Sequence, residues 1–153
     1  MAKTTTLPIT QTIQTLVISI VNATSFIAAN GGTAPTNTVL LLTAGADGSV
    51  VKSIVVASDD SAAKQVSFYI SVDSGTTKYL LGTVNVAAGA GLTSGTTSNV
   101  DVLGNYYLLG LPVDQSNKAI IELKAGAQIY AGVITAAVTS GRTLHVIAQM
   151  EDY

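Results

Sequence analysis

Residues 64–72, KQVSFYISV, alternate without a break. Val66, Phe68, Ile70 and Val72 fall on one side of an extended chain, and Gln65, Ser67, Tyr69 and Ser71 on the other. A period of two does not build a helix face, so this stretch predicts a strand with one buried side. Similar segments recur along the chain. Residues 38–43, 50–58, 79–86, 119–124, 128–134 and 144–150 read as further strands, with Leu80, Val84 and Val86 expected on one face of 79–86. In 144–150, Leu144, Val146, Ala148 and Met150 form the core side, and His145, Ile147 and Gln149 the other. Near the start two periods compete. Ile13, Leu16, Val17, Ile20 and Val21 fit a helical stripe, but eight of the twelve residues at 10–21 are β-branched, which favours a strand.

The connections carry turn chemistry. AGADGS (44–49) holds an Asp-Gly signal between two apolar segments, and DSGTTK (73–78) reads as a hairpin loop with Gly75 supplying a positive φ. SDDSAAK (58–64) turns the chain, and AGA (125–127) is expected to pair 119–124 with 128–134. A long Gly/Ser/Thr loop fills 87–105. About eight strands spaced in this way predict an all-β protein, a jelly-roll-like β-sandwich at 38–153. Residues 1–37, Thr-rich and containing Pro8, read as an extended N-terminal arm with one candidate strand. The apolar residues Leu16, Ile18 and Ile20 of that strand need a partner surface, and an arm that assists assembly would supply one.

Charge then narrows the function. Asp, Glu, Lys and Arg make up 10% of the 153 residues, against about 25% in ordinary soluble domains. Mean hydropathy is +0.48 and the net charge is −2. That balance provides no basic footprint for nucleic acid, and weak self-repulsion permits dense packing of copies. No apolar run reaches the roughly 20 residues of a membrane-spanning helix, and the N-terminal stretch is too polar for a signal peptide. Without cysteine there is no disulfide and no thiol chemistry.

The residues that could carry chemistry read better as structure. His145 is the one histidine, and with no Cys a zinc site would need carboxylates for most of its ligands. Asp59 and Asp60 lack the spacing of a calcium loop, and as neighbours they point apart, so Asx-type turn bonds are the simpler role. Glu122 and Glu151 have no acidic partner on their own strand faces, which leaves a glycosidase pair without a local basis. GAGLTSG (89–95) lacks the P-loop lysine. Tyr106 and Tyr107, with Tyr79 and Tyr130, suit interface packing or a stacking patch for sugar or peptide. No catalytic, cofactor or metal site is expected, and the chain reads as a non-enzyme. The candidate assembly residues are Leu16, Ile18, Ile20, Tyr106 and Tyr107.

Three stretches carry a family resemblance: LLTAGADGSVVKSIVVASDDSAAKQVSFYISVDSGTTKYLLGTVNVAAGAG, GLPVDQSNKAIIELKAGAQIYAGV and the ending GRTLHVIAQMEDY. Over residues 38–153 the chain resembles small tailed-bacteriophage capsid decoration, or cement, proteins. The resemblance implies a β-rich domain, often a jelly roll and often a homotrimer, bound to the exterior of the virion with the major capsid protein as partner. A receptor- or carbohydrate-binding module of a phage head or tail fibre is the alternative reading.

Overall fold

The computed structural model describes residues 12–20, 38–91, 98–105, 111–114, 118–134 and 137–153. The described residues form nine strands, one 3-10 turn at Leu103–Asn105 and no α-helix. The strands are β1 (Thr12–Ile20), β2 (Val39–Thr43), β3 (Ser49–Ser58), β4 (Lys64–Ser71), β5 (Tyr79–Val86), β6 (Val100–Asp101), β7 (Ile121–Leu123), β8 (Gln128–Val133) and β9 (Leu144–Asp152). They make a β-sandwich. One sheet, A, runs β1-β9-β3, with β6 and β7 along the far side of β3; the other, B, runs β2-β8-β4-β5. Every pairing is antiparallel.

Alternation builds the core. Val66 and Phe68 of β4, Ile129, Ala131 and Val133 of β8, Val51, Ile54 and Val56 of β3, and Leu144, Val146, Ala148 and Met150 of β9 are buried between the sheets. A fully buried Val, Leu, Ile or Phe side chain contributes about 1.5–3 kcal/mol, so this layer is the main source of stability. The strand expected within 1–37 is β1. It pairs with β9 of the same chain over all nine residues, from Thr12↔Asp152 to Ile20↔Leu144.

Bulges correct the alternation in three places. In β3 the register against β9 shifts between Val51 and Ser53. Strict alternation from Ile54 and Val56 would drive Lys52 into the core. The extra residue turns it outward and keeps Val51 buried, avoiding an interior charge. In β5 the register shifts around Leu81. Leu80, expected beside Val84 and Val86, is therefore 56% exposed, while Leu81 packs on the core. In β2 the shift falls at Leu41, so Leu41 and Leu42 are both buried. Val72 lies past the end of β4 and is exposed, so it does not continue the inward row.

Two connections differ from the expected hairpins. β7 and β8 do not pair: the AGA turn carries the chain from sheet A to sheet B, with Gly126 at φ 70°. The AGADGS turn likewise joins strands of opposite sheets. DSGTTK does close a hairpin between β4 and β5, with Gly75 at φ 88°. The loop at 87–105 contributes β6, which pairs Asp101 with Val55 and Val100 with Val56.

Candidate assembly surface

A sandwich has two outer faces, and in this one each carries an apolar row that crosses the strands. On sheet A, register sets Val17 of β1 opposite Ile147 of β9, and Ile147 opposite Val55 of β3. Val17 is 59% exposed and Ile147 36%. Smaller or polar residues flank it: Ser19, His145 and Ala57 on one side, Thr15, Gln149 and Ser53 on the other. His145 Nδ1 lies 3.2 Å from Ser19 Oγ, a strand-surface pair as the alternation predicts. Charge sits at the margin, where Lys52 Nζ is 3.5 Å from a Glu151 carboxylate oxygen. Beyond Val55 the face dips into a concavity of about 390 Å³ lined by Lys52, Ser53, Val55, Asp101, Leu103 and Lys118.

On sheet B the row is Leu40, Tyr130, Tyr69 and Leu80, across β2, β8, β4 and β5. Leu40 and Leu80 are exposed, whereas Tyr69 is buried, and that burial pushes its hydroxyl pKa up. Hydrogen-bonded polar pairs flank this row. Gln65 Nε2 donates to Asn85 Oδ1 at 2.9 Å, and Ser67 Oγ lies 2.6 Å from Thr83 Oγ1. Tyr130 is fully engaged: its hydroxyl donates to Gln128 Oε1 at 2.7 Å, and Lys78 Nζ stands 4.6 Å from its ring centre.

The aspartates of the 58–64 turn are structural ties. Asp60 is fully buried. Its carboxylate accepts from Ala62 N at 2.9 Å, the expected Asx-type bond, and from Thr139 N at 2.7 Å and Thr139 Oγ1 at 2.8 Å. Lys64 Nζ, itself buried, lies 3.4 Å away and donates to the Ala137 carbonyl at 2.7 Å. Burial pushes the Asp60 carboxyl up, but the hydrogen bonds from Thr139, Ala62 and Lys64 together outweigh it and lower the pKa to about 2. Asp59 accepts from Thr143 N at 2.5 Å. Both carboxylates accept hydrogen bonds from backbone N–H groups of their own chain.

The sequence-based assembly residues separate. Leu16, Ile18 and Ile20 share the inner face of β1: Ile20 is buried, and Leu16 and Ile18 are half-buried against the core of their own chain. The large apolar residues of β1 that face outward are Ile13 and Val17. Tyr106 and Tyr107 lie outside the described residues. Sequence reasoning passed over Val17, Val55 and Ile147. The signal was present: Ile147 is a large apolar residue on the polar phase of β9, between His145 and Gln149.

Among the described residues no helix is long and apolar enough to cross a membrane, and no group of three His, Asp or Glu could hold a metal ion. No family model matches the chain, and no curated protein matches it. Among solved structures, it is similar to a chain described as the cyanophage Pam1 capsid asymmetric unit. That likeness has a TM-score of 0.44 and 12% identity, and covers 92% of this chain and 84% of that one.

Proposed function

We propose that the chain is a bacteriophage capsid decoration protein. In this reading it binds the outer surface of an icosahedral shell as a homo-oligomer, a trimer, and stabilises the major capsid protein lattice by burying surface rather than by catalysis. The observation that carries the proposal is the pair of apolar rows, Val17–Ile147–Val55 on one outer face and Leu40–Tyr130–Tyr69–Leu80 on the other. A module with a single ligand needs one such surface. A subunit set among copies of itself and a shell uses both. The resemblance over residues 38–153 supplies the phage context. A specific interface buries at least about 1,000 Å², and a lattice repeats each contact, so modest affinities combine through avidity.

The strand order supports the jelly-roll reading. With β6 and β7 taken as two pieces of one position beside β3, the sheets become two sets of four, 1-9-3-(6,7) and 2-8-4-5. All connections cross between sheets except β4–β5 and the one joining β6 to β7. The carbohydrate-binding alternative asks for open aromatic platforms. Tyr130 is capped by Lys78 and Tyr69 is buried, which leaves Tyr79 as the open ring among the described tyrosines of sheet B.

The test is co-sedimentation with undecorated capsids. Ile147→Lys and Leu80→Lys each place a charge in one row while sparing the core. At least one should weaken capsid binding tenfold or more with the circular dichroism spectrum unchanged. Wild-type binding by both variants would remove these faces as the attachment surface.

A further inference from the structure

The edges of the two sheets are protected unequally. β6 and β7 are two and three residues long. β2 and β5 are each interrupted by a bulge, at Leu41 and Leu81. β1 runs nine residues in unbroken register against β9, and its sequence TIQTLVISI contains no charge, no Pro and no Gly. Protein edges are ordinarily blunted by shortness, bulges, charge or Pro, or are covered by another segment; β1 uses none of the first four, and among the described residues no strand pairs with its outer edge. Its outward side chains Ile13 and Val17, at 71% and 59%, are the most exposed large apolar residues among those described.

An open strand edge selects an extended backbone as its partner, because only that geometry matches a row of unpaired N–H and C=O groups. Without charge, β1 is also compatible with itself. We infer that β1 pairs antiparallel with β1 of a second copy across a two-fold axis at Thr15, joining two A sheets into one. Outward residues must oppose outward residues, which restricts the register. An axis at Thr15 sets Ile13 opposite Val17 of the second copy on both sides of a Thr15–Thr15 pair, giving each exposed large apolar side chain of β1 an apolar cross-strand neighbour. An axis at Leu16 would set Ile13 against Ser19, and one at Val17 would leave Ile13 beyond the end of the paired strand. A threefold contact elsewhere on the chain is compatible with this two-fold, and the inference does not rest on the virion reading.

The test uses the purified full chain without capsids. Because the protein has no cysteine, single thiols report the register. Residues directly opposite have Cβ atoms about 4.5–5.5 Å apart, close to disulfide geometry. Mild oxidation of Thr15→Cys should therefore give mostly disulfide-linked dimer on a non-reducing gel. Ile13→Cys or Val17→Cys alone should give at least tenfold less, because identical residues are then four positions, about 13 Å, apart. Mixing those two variants should restore the dimer. Thr15→Lys opposes two like charges on the surface. It should halve the sedimenting mass at micromolar concentration while leaving circular dichroism unchanged. A monomeric wild type at 100 µM (a concentration on the order of ten times that needed for a stable pair at micromolar Kd) would overturn the inference. So would crosslinking at Val17 in place of Thr15, or an oligomer whose mass Thr15→Lys leaves intact.

Discussion

Gly45 lies directly beneath the carboxyl group of Asp152: a Cβ on Gly45 would stand 2.9 Å from Asp152 Cγ and 3.1 Å from its Oδ1. Asp152 cannot easily yield. Ser49 Oγ donates to one of its oxygens, and Gln14 Nε2 donates to the other at 2.5 Å. The Gly45 N–H donates in turn to Ser49 Oγ at 2.9 Å. One carboxylate thus gathers β1, β3 and β9 at the end of sheet A, and the AGADGS turn is shaped to receive it. Gly45→Ala should destabilise the protein by about 1–3 kcal/mol, the usual range for overpacking a fitted site. Asp152→Ala should cost a similar amount by leaving Ser49 and Gln14 without their acceptor. The double variant should be more stable than the sum of the two losses predicts, since the clash vanishes with the carboxylate. Urea unfolding of the four proteins measures the coupling, and strict additivity would separate the two residues.

Acid should reveal the Asp60 tie. Its pKa is lowered from 3.8 to about 2 in the folded protein, and that of Asp73 is lowered equally by the hydrogen bonds from Thr77 and Ser71. A folded pKa below the unfolded value means that the native state releases these protons more readily. Their stabilising contribution is complete above pH 4 and is lost as pH falls through the interval from about 4 to 2. Stability should therefore decline across that interval. Asp60→Asn should flatten the decline and lower stability at neutral pH, because Lys64 then sits buried beside an uncharged partner. Denaturant midpoints measured from pH 2 to 7 decide it: an unchanged pH slope in Asp60→Asn would remove Asp60 from the acid response.

The strands were legible because alternation is local, whereas much of their arrangement was not. Val66, Phe68, Val146 and Ala148 announce a buried face through their own spacing. Nothing in AGADGS or AGA says whether the chain returns in the same sheet or crosses to the other. A turn sequence records the bend at Gly48 or Gly126, and the destination depends on which distant strand waits there. Bulges hide for a related reason. Lys52 and Leu81 become extra residues only when β9 and β4 impose their registers. The surface was partly legible. An apolar Ile147 between His145 and Gln149 is visible in sequence, but its alignment with Val17 and Val55 required the pairing.

The N-terminal strand should prove inseparable from the sandwich. As an arm, residues 1–21 would be removable from a folded domain. In the structure β1 covers β9 along its whole length and sends Leu16, Ile18 and Ile20 into the core. Deleting residues 1–21 would strip the nine-residue pairing from one side of β9 and remove the buried Ile20, worth about 1.5–3 kcal/mol, together with the half-buried Leu16 and Ile18, worth less each. That loss is comparable to the whole stability of many domains. The truncated protein is expected to unfold or aggregate at 25 °C, as read by circular dichroism and light scattering. A cooperative unfolding transition within about 1 kcal/mol of the full chain would instead make β1 an accessory element.

Two glycines separate backbone strain from collision. Gly75 and Gly141 both have left-handed backbones, at φ 88° and 76°. Around Gly141 nothing lies within 4 Å of an added Cβ, whereas at Gly75 the Tyr130 hydroxyl oxygen would be only 2.2 Å away. That hydroxyl is held by its bond to Gln128, and the ring by Lys78. Gly141→Ala should therefore show the conformational penalty alone, about 1–2 kcal/mol for an L-residue in this region. Gly75→Ala carries the same penalty plus displacement of Tyr130, so it should cost at least about 1 kcal/mol more. Tyr130→Phe removes the obstructing oxygen. In that background the gap between the two alanine variants should shrink, although the nearest ring carbon, at 3.1 Å, still crowds position 75. Thermal melts of the six proteins measure the gap in both backgrounds. An equal gap with and without the hydroxyl would show that the DSGTTK loop relaxes away from Tyr130, and that Gly75 is needed for its backbone angle alone.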